Sequence, residues 1–224
     1  MSDVAIYDMD RTITRTATYT PFLIHAARTR APWRLLFAPA VAASMTAYAA
    51  GAIGRGRLKE INHRLLLGGT NDHDALDPLV QGFADRTLRE NIQPGALRAI
   101  AHDRGEGRRL VMATASYALY AEAIADRLGF HDVIATRSHR GPTGQVLARI
   151  DGENCYGPAK LRMIEAWLAK ERIERASAHV RFYSDHASDA PVFEWADEPV
   201  AVTPHARLRQ LATARGWRIE DWRS

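Results

Sequence analysis

"VAIYDMDRT", residues 4–12, is the stretch that decides how the rest of the chain is read. Its first four residues are apolar and rich in strand-forming side chains, and polar residues end the run, so it predicts a short buried strand. Asp8 and Asp10 then stand one residue apart at the mouth of that strand. Two carboxylates so close repel each other, and burial makes ionising them costlier still. In open α/β sheets, ligands bind outside the carboxyl ends of the strands. The pair therefore marks a candidate site if the remaining chain builds such a sheet.

Residues 108–116 are strand-like up to Thr114, and Ser116 is placed to cap a following helix with Leu119, Ile124 and Leu128 as apolar positions. Further strands are expected at 132–136, 180–185 and, as the last, 199–204, with hairpin-type Gly and Pro content over 137–152. Between them, 159–171 carries Leu161, Ile164, Trp167 and Leu168 along one helical side, and 190–195 reads as a short helix. This alternation predicts an α/β fold: a Rossmann-like parallel sheet with helices on both faces. Residues 15–91 break the alternation. Their patterns are helical, as in Leu76, Val80, Phe83 and Leu88, and another helix at 95–103 follows Pro94. The expected organisation is an α/β core from residues 1–14 and 92–224, with 15–91 inserted as an all-helical cap.

Composition narrows the class. Of 224 residues, 46% are hydrophobic and 25% charged, as in an ordinary globular protein. The one cysteine, Cys155, excludes an intrachain disulfide and fits a reducing compartment, so a cytoplasmic location is expected. The first ten residues carry acids where a secretion signal carries positive charge, and no such signal is expected. The net charge is +4, yet only Lys59, Lys160 and Lys170 among the 30 basic residues are lysines. The arginines are dispersed, with no run of five or six, which favours a solvated arginine-rich surface over a nucleic-acid face. Oligomeric state leaves no signal in the sequence.

Residues 35–54 are 20 residues without a charge, flanked by arginines. That length could span a bilayer. A single crossing, however, would strand Asp8 and the rest of the sheet on opposite sides. Two readings stay open: a buried cap helix, or peripheral contact with a membrane interface.

Other strand ends add to the site. Thr114 closes one strand. Asp185 closes another and is followed by Asp189, and Lys160 opens the helix before it. Carboxylates converging in one place call for a cation, and oxygen ligands suit Mg²⁺ rather than Zn²⁺. A lysine and a hydroxyl beside them suit a phosphoryl group.

In order, Asp8-Met-Asp10-Arg-Thr12, Thr114, Lys160 and Asp185-His-Ala-Ser-Asp189 resemble the four motifs of the haloacid dehalogenase superfamily of phosphohydrolases. The helical insert between the first two resembles its subfamily I. Residues 154–160 and 200–205 are similar to the phosphoserine-phosphatase-like IB branch. The resemblance covers nearly the whole chain and is weakest in the insert. It implies a Mg²⁺-dependent phosphomonoester hydrolase. Asp8 would be the nucleophile, forming an aspartyl-phosphate, and Asp10 the acid and base. Asp8, Asp185 and the main-chain carbonyl of Asp10 would hold Mg²⁺. Thr114 and Lys160 would hold the phosphoryl oxygens, and Asp189 would orient Lys160 or metal-bound water. The dehalogenase branch lacks the second aspartate, so Asp10 favours phosphoryl chemistry.

The chain departs from the pattern in two places. Ser184 replaces a glycine before Asp185, and His186 after it reads as a loop residue. Ala17 stands where phosphoserine phosphatases carry a substrate-binding glutamate, which disfavours phosphoserine and leaves a small or amphiphilic phosphomonoester. The competing reading is a catalytically silent protein of the same fold that binds an anionic partner.

Overall fold

The computed structural model describes residues 3–223; the ends of the expected core, Met1, Ser2 and Ser224, lie outside the described residues. The chain runs β1 (Val4–Tyr7), α1 (Tyr19–Arg30), α2 (Ala38–Ala49), α3 (Arg55–Leu66), β2 (Thr70–Asn71), α4 (His73–Glu90) and α5 (Pro94–Gly105). It continues with β3 (Arg109–Tyr117), α6 (Ala118–Arg127), β4 (Asp132–Arg140), β5 (Val146–Asp151) and α7 (Pro158–Lys170). It closes with β6 (Val180–Ser184), α8 (Ala190–Trp195), β7 (Glu198–Val202), α9 (Ala206–Arg215) and β8 (Arg218–Glu220).

Among the described residues the strands form one sheet in the order β2-β5-β4-β3-β1-β6-β7-β8. Pairing is parallel from β4 through β8, whereas β5 runs antiparallel to β4 and to β2. β1 lies inside the sheet. Val4 faces Arg109 on one side and Val180 on the other, so both edges of β1 are satisfied. Strand side chains alternate between faces. Val4 and Ile6 therefore enter a layer with Ile164, Trp167 and Leu168 of α7, Phe193 of α8 and Leu208 of α9. Ala5 and Tyr7 enter the opposite layer, with Leu76 and Phe83 of α4, Ile100 of α5 and Ile124 of α6. Each fully buried side chain of this kind stabilises the fold by about 1.5–3 kcal/mol relative to exposure.

The chain leaves and rejoins this layer at one place. Thr14 and Ile92 form an isolated antiparallel bridge, and the Gln93 amide donates to the Ile13 carbonyl at 2.9 Å. Between them lie α1 to α4, with the short β2, which pairs with β5 and ties the helical block to the β4–β5 hairpin.

Three expectations need correction. The strand at β7 is not the last; α9 and the short charged β8 follow it. Ser116 does not cap α6; that position falls to Tyr117, and β3 runs on past Thr114. Residues 35–54 are not a buried helix. They divide between a 3-10 turn, Pro32–Phe37, and α2, in which only Ser44 is buried. Helix α2 rests on α3 through Ser44, whose hydroxyl meets Asn62 Oδ1 at 2.8 Å. No helix among the described residues is long and apolar enough to cross a membrane.

Candidate active site

Asp8 leaves β1 in an extended conformation (φ −68°, ψ 153°), and the chain then curls through a tight turn, Met9–Ile13. Within it Arg11 takes a left-handed φ of 64°, and the Thr14 amide closes the turn on the Met9 carbonyl at 3.0 Å. The bend puts the Asp8 and Asp10 carboxylates on one cleft. Thr12 ties the turn to the neighbouring strand end: its hydroxyl accepts from the Asp185 amide at 3.0 Å and donates to Asp8 Oδ2 at 3.4 Å.

Lys160 sits in the first turn of α7. Gly157 opens that helix at φ 59°, a conformation that disfavours any side chain, and Pro158 begins it. The lysine is 2% exposed, and its ammonium donates to Asp8 Oδ1 at 2.9 Å and to Asp189 Oδ2 at 2.6 Å. Burial alone would lower its pKa, but Asp189 and Asp8 outweigh burial and raise it. Ser184 donates to the same Asp189 oxygen at 2.8 Å, while the buried Asp189 Oδ1 has no hydrogen-bond partner among the described residues. The serine that replaces glycine before Asp185 thus has a definite task, holding Asp189.

All six predicted residues, Asp8, Asp10, Thr114, Lys160, Asp185 and Asp189, line one cleft of about 260 Å³. A larger cavity of about 400 Å³ adjoins it across Arg11 and Asp185, but it contains none of the other five groups. The six groups therefore meet in the smaller cleft. Ala17 also lines it, so the insert offers no acid at that point. His186 lies in the loop beside the cleft, as expected, with its Nδ1 accepting from the Ser188 amide at 3.1 Å.

The acids there are short of positive charge. Burial raises the Asp8 pKa to about 7; Lys160 opposes the shift, and Asp189 and Asp185 reinforce it. Asp185 is pushed up to about 6 by burial and by Asp189. A carboxyl that resists ionising beside another is relieved by a cation. Hard oxygen donors from Asp8 and Asp185, with the adjacent Asp10 carbonyl, fit Mg²⁺ in donor type.

Five side chains that the sequence does not single out surround these groups. Asp10 is locked by Ser116 and Thr18: Ser116 Oγ donates to Oδ2 at 2.7 Å, and the Thr18 amide and hydroxyl both donate to Oδ1 at 2.7 Å. Tyr120 donates in turn to Ser116 at 2.8 Å. From α3, Lys59 reaches down and donates to the Ala115 carbonyl and, at 2.7 Å, to Asn154 Oδ1. Burial and Arg55 lower its pKa to about 7, against the pull of Asp10. Arg55 itself lies 3.9 Å above the Tyr156 ring at the cleft wall. One compositional signal pointed to Lys59. Lysine is rare in this chain, and two of its three lysines are buried, Lys160 in the cleft and Lys59 against the Ala115 carbonyl behind it.

Comparison with known proteins adds family context. A family model described as haloacid dehalogenase-like hydrolase matches residues 5–194. The Inhibition of morphological differentiation protein of Streptomyces azureus is 32% identical over 150 residues, covering 67% of this chain and 49% of its own length. Phosphoserine phosphatase SerB1 of Mycobacterium tuberculosis is 30% identical over 141 residues, with 62% and 44% covered. Protein CicA of Caulobacter vibrioides is 27% identical over 197 residues, with 86% and 82% covered. The chain spans about half the length of the first two of these relatives. Among solved structures, a protein of unknown function from Bordetella pertussis Tohama I superposes with a TM-score of 0.89 at 24% identity, covering 99% of both chains. A substrate-bound phosphoserine phosphatase superposes with a TM-score of 0.64 at 15% identity, covering 99% of this chain and 93% of its own. At those identities the likeness is one of fold.

Proposed function

The chain belongs to the haloacid dehalogenase-like hydrolases, and we propose that within them it is a Mg²⁺-dependent phosphomonoester hydrolase with Asp8 as nucleophile. One observation carries this reading. Asp8 is held by Lys160 at 2.9 Å on the same cleft where Asp10 is locked by three donors. A nucleophile and an acid/base partner, each fixed in orientation, are what in-line phosphoryl transfer needs.

An oxygen of Asp8 attacks phosphorus, the ester P–O bond breaks, and protonated Asp10 gives its proton to the departing alkoxide. The product is an aspartyl-phosphate. Asp10, now ionised, takes a proton from water as the water oxygen attacks phosphorus. The bond to Asp8 breaks, inorganic phosphate leaves, and both carboxyls are restored. Ser116 and Thr18 keep Asp10 aimed through both halves. Lys160 and Thr114 bind the phosphoryl oxygens, and Asp189 positions Lys160. When bound by Asp8, Asp185 and the Asp10 carbonyl, Mg²⁺ supplies the charge neutralisation that lets an anionic phosphoryl group approach a carboxylate.

In this reading residues 15–91 act as the cap, contributing Ala17 and Arg55 to the cleft wall, with Lys59 buried behind it against Ala115. Ala17 argues against phosphoserine and for a small or amphiphilic phosphomonoester. The single buried cysteine suits the cytoplasm, and no nucleic-acid partner is proposed.

The test is hydrolysis of an aryl phosphate with and without Mg²⁺, by wild type and Asp8→Asn together. Mg²⁺-dependent turnover that vanishes in the variant supports the proposal. A folded wild type inert across a broad phosphomonoester panel would overturn it in favour of a silent binding protein.

A further inference from the structure

We propose that the turn Pro32–Phe37 and helix α2 form a docking face that lies flat on an anionic lipid bilayer. A surface helix normally carries charges on its solvent side. Here the reverse holds. Residues 35–54 contain no charged residue, yet within α2 only Ser44 is buried. Large apolar side chains stand in solvent: Leu36 is 81% exposed, Trp33 57% and Met45 45%, with Phe37 and Tyr48 also exposed. Trp33 and Phe37 pack edge to face at 5.8 Å, so they form a continuous aromatic ledge. An exposed apolar patch of this kind marks an interaction surface.

Charge identifies the partner. Between residues 11 and 59 there are eight arginines and lysines and no aspartate or glutamate. Arg28 and Arg30 end α1 just before the patch, Arg34 lies 4.7 Å above the Trp33 ring, and Arg55 and Arg57 follow at the start of α3. An apolar face flanked in sequence by cations matches acyl chains beneath anionic headgroups on both counts. Trp and Tyr side chains favour that interface. A second copy of this chain matches less well, because a two-fold contact would oppose one arginine border to the other. The 12-residue α2 is too short to span, so the segment lies along the surface.

The docking stands apart from the chemistry. Its corollary rests on the phosphatase reading: because α3 also supplies Arg55 to the cleft, the substrate class would be a phosphomonoester anchored in the same bilayer.

The experiment is co-sedimentation with vesicles of phosphatidylglycerol in phosphatidylcholine, set against phosphatidylcholine alone. It uses wild type, Leu36→Glu/Met45→Glu and the separate Asp8→Asn variant. Wild type and Asp8→Asn should pellet with anionic vesicles at least about tenfold more strongly than with neutral ones, and high salt should weaken that binding. The double variant should lose at least tenfold while its turnover of a soluble aryl phosphate stays at the wild-type level. Binding of Asp8→Asn separates this test from the fate of the phosphatase reading. The proposal is overturned if wild type stays in the supernatant, or if the double variant pellets as wild type does. It is equally overturned if light scattering finds a wild-type dimer that the double variant dissolves while vesicles go unbound, since a second copy would then cover the face.

Discussion

The two ends of the sheet each carry a cluster of acids around a buried aspartate, and the clusters are built on opposite terms. Toward the amino ends of the strands, Asp103 and Glu106 face two arginines. Arg108 Nε donates to Glu106 at 2.8 Å, Arg181 bonds Asp103, and the Tyr7 hydroxyl donates to Asp103 as well. His102 completes a group whose ligand-type atoms lie within 4.8 Å of one another, but the two arginines already neutralise it. Glu106 is accordingly held below its usual pKa, first by its hydrogen bond from Arg108. At the carboxyl ends Asp8, Asp10, Asp185 and Asp189 converge, but Lys160 bonds only Asp8 and Asp189, and Asp8 and Asp185 rise to about 7 and about 6. Acids that are matched hold a fold together. Acids left in surplus await something from outside.

The largest test of that contrast is kinetic. Asp8→Asn should lower kcat by about 10⁴-fold or more, the scale of losing a nucleophile, while its metal-free melting temperature does not fall below that of wild type. A marked loss of stability would place Asp8 among the matched acids and break the comparison. The mirror experiment is Asp103→Asn. It leaves Arg181 and Arg108 short of a buried partner and should cost about 3–5 kcal/mol in urea unfolding, with turnover per folded molecule unchanged.

Ser116→Ala should sit between these extremes. It frees one Asp10 oxygen, and the misaimed carboxyl should cost about tenfold in kcat with KM and stability nearly unchanged. An equal fall in binding alone would show that Ser116 touches substrate rather than aiming Asp10.

The smallest effect is thermal. Burial raises Asp8 and Asp185 above the ordinary carboxylate value, to about 7 and about 6, so from about pH 4 to about 7 the folded chain holds more protons than the unfolded one. Metal-free stability therefore falls as pH rises through that window. Mg²⁺ competes with those protons, and its stabilising shift should be a few degrees at pH 8 and nearly absent at pH 5. A shift that does not change with pH would mean the ion binds elsewhere.

Much of the site was legible because its signals are local. Asp8, Asp10, Lys160, Asp185 and Asp189 each sit near a strand end or helix start, where a short pattern reports geometry, whereas Thr114 lies inside β3, which runs on to Tyr117. Ser116, Thr18 and Lys59 were not legible in that way. Thr18 and Ser116 meet only because the insert's entry folds back on β3, 98 residues apart in sequence. Lys59 is fixed by a main-chain carbonyl, which any residue at position 115 would offer. Periodicity found the central strands, whose both faces are covered. It missed β8, whose Arg-Ile-Glu run lies at an edge and carries charge. For residues 35–54 the missing charge was plain, but whether neighbours covered it depended on packing no window could see.

The position of β1 bears on how the molecule comes into being. Its four residues leave the ribosome long before their partners, which are β3, beginning at Arg109, and β6, beginning at Val180. Closing loops of that length is slow. Until β6 has emerged, one edge of β1 stays open to pairing with any passing strand. The strand that leads into the candidate site is thus made before either of its partners and enclosed only after both, and a chain stalled before residue 180 would present Val-Ala-Ile-Tyr as an aggregation template.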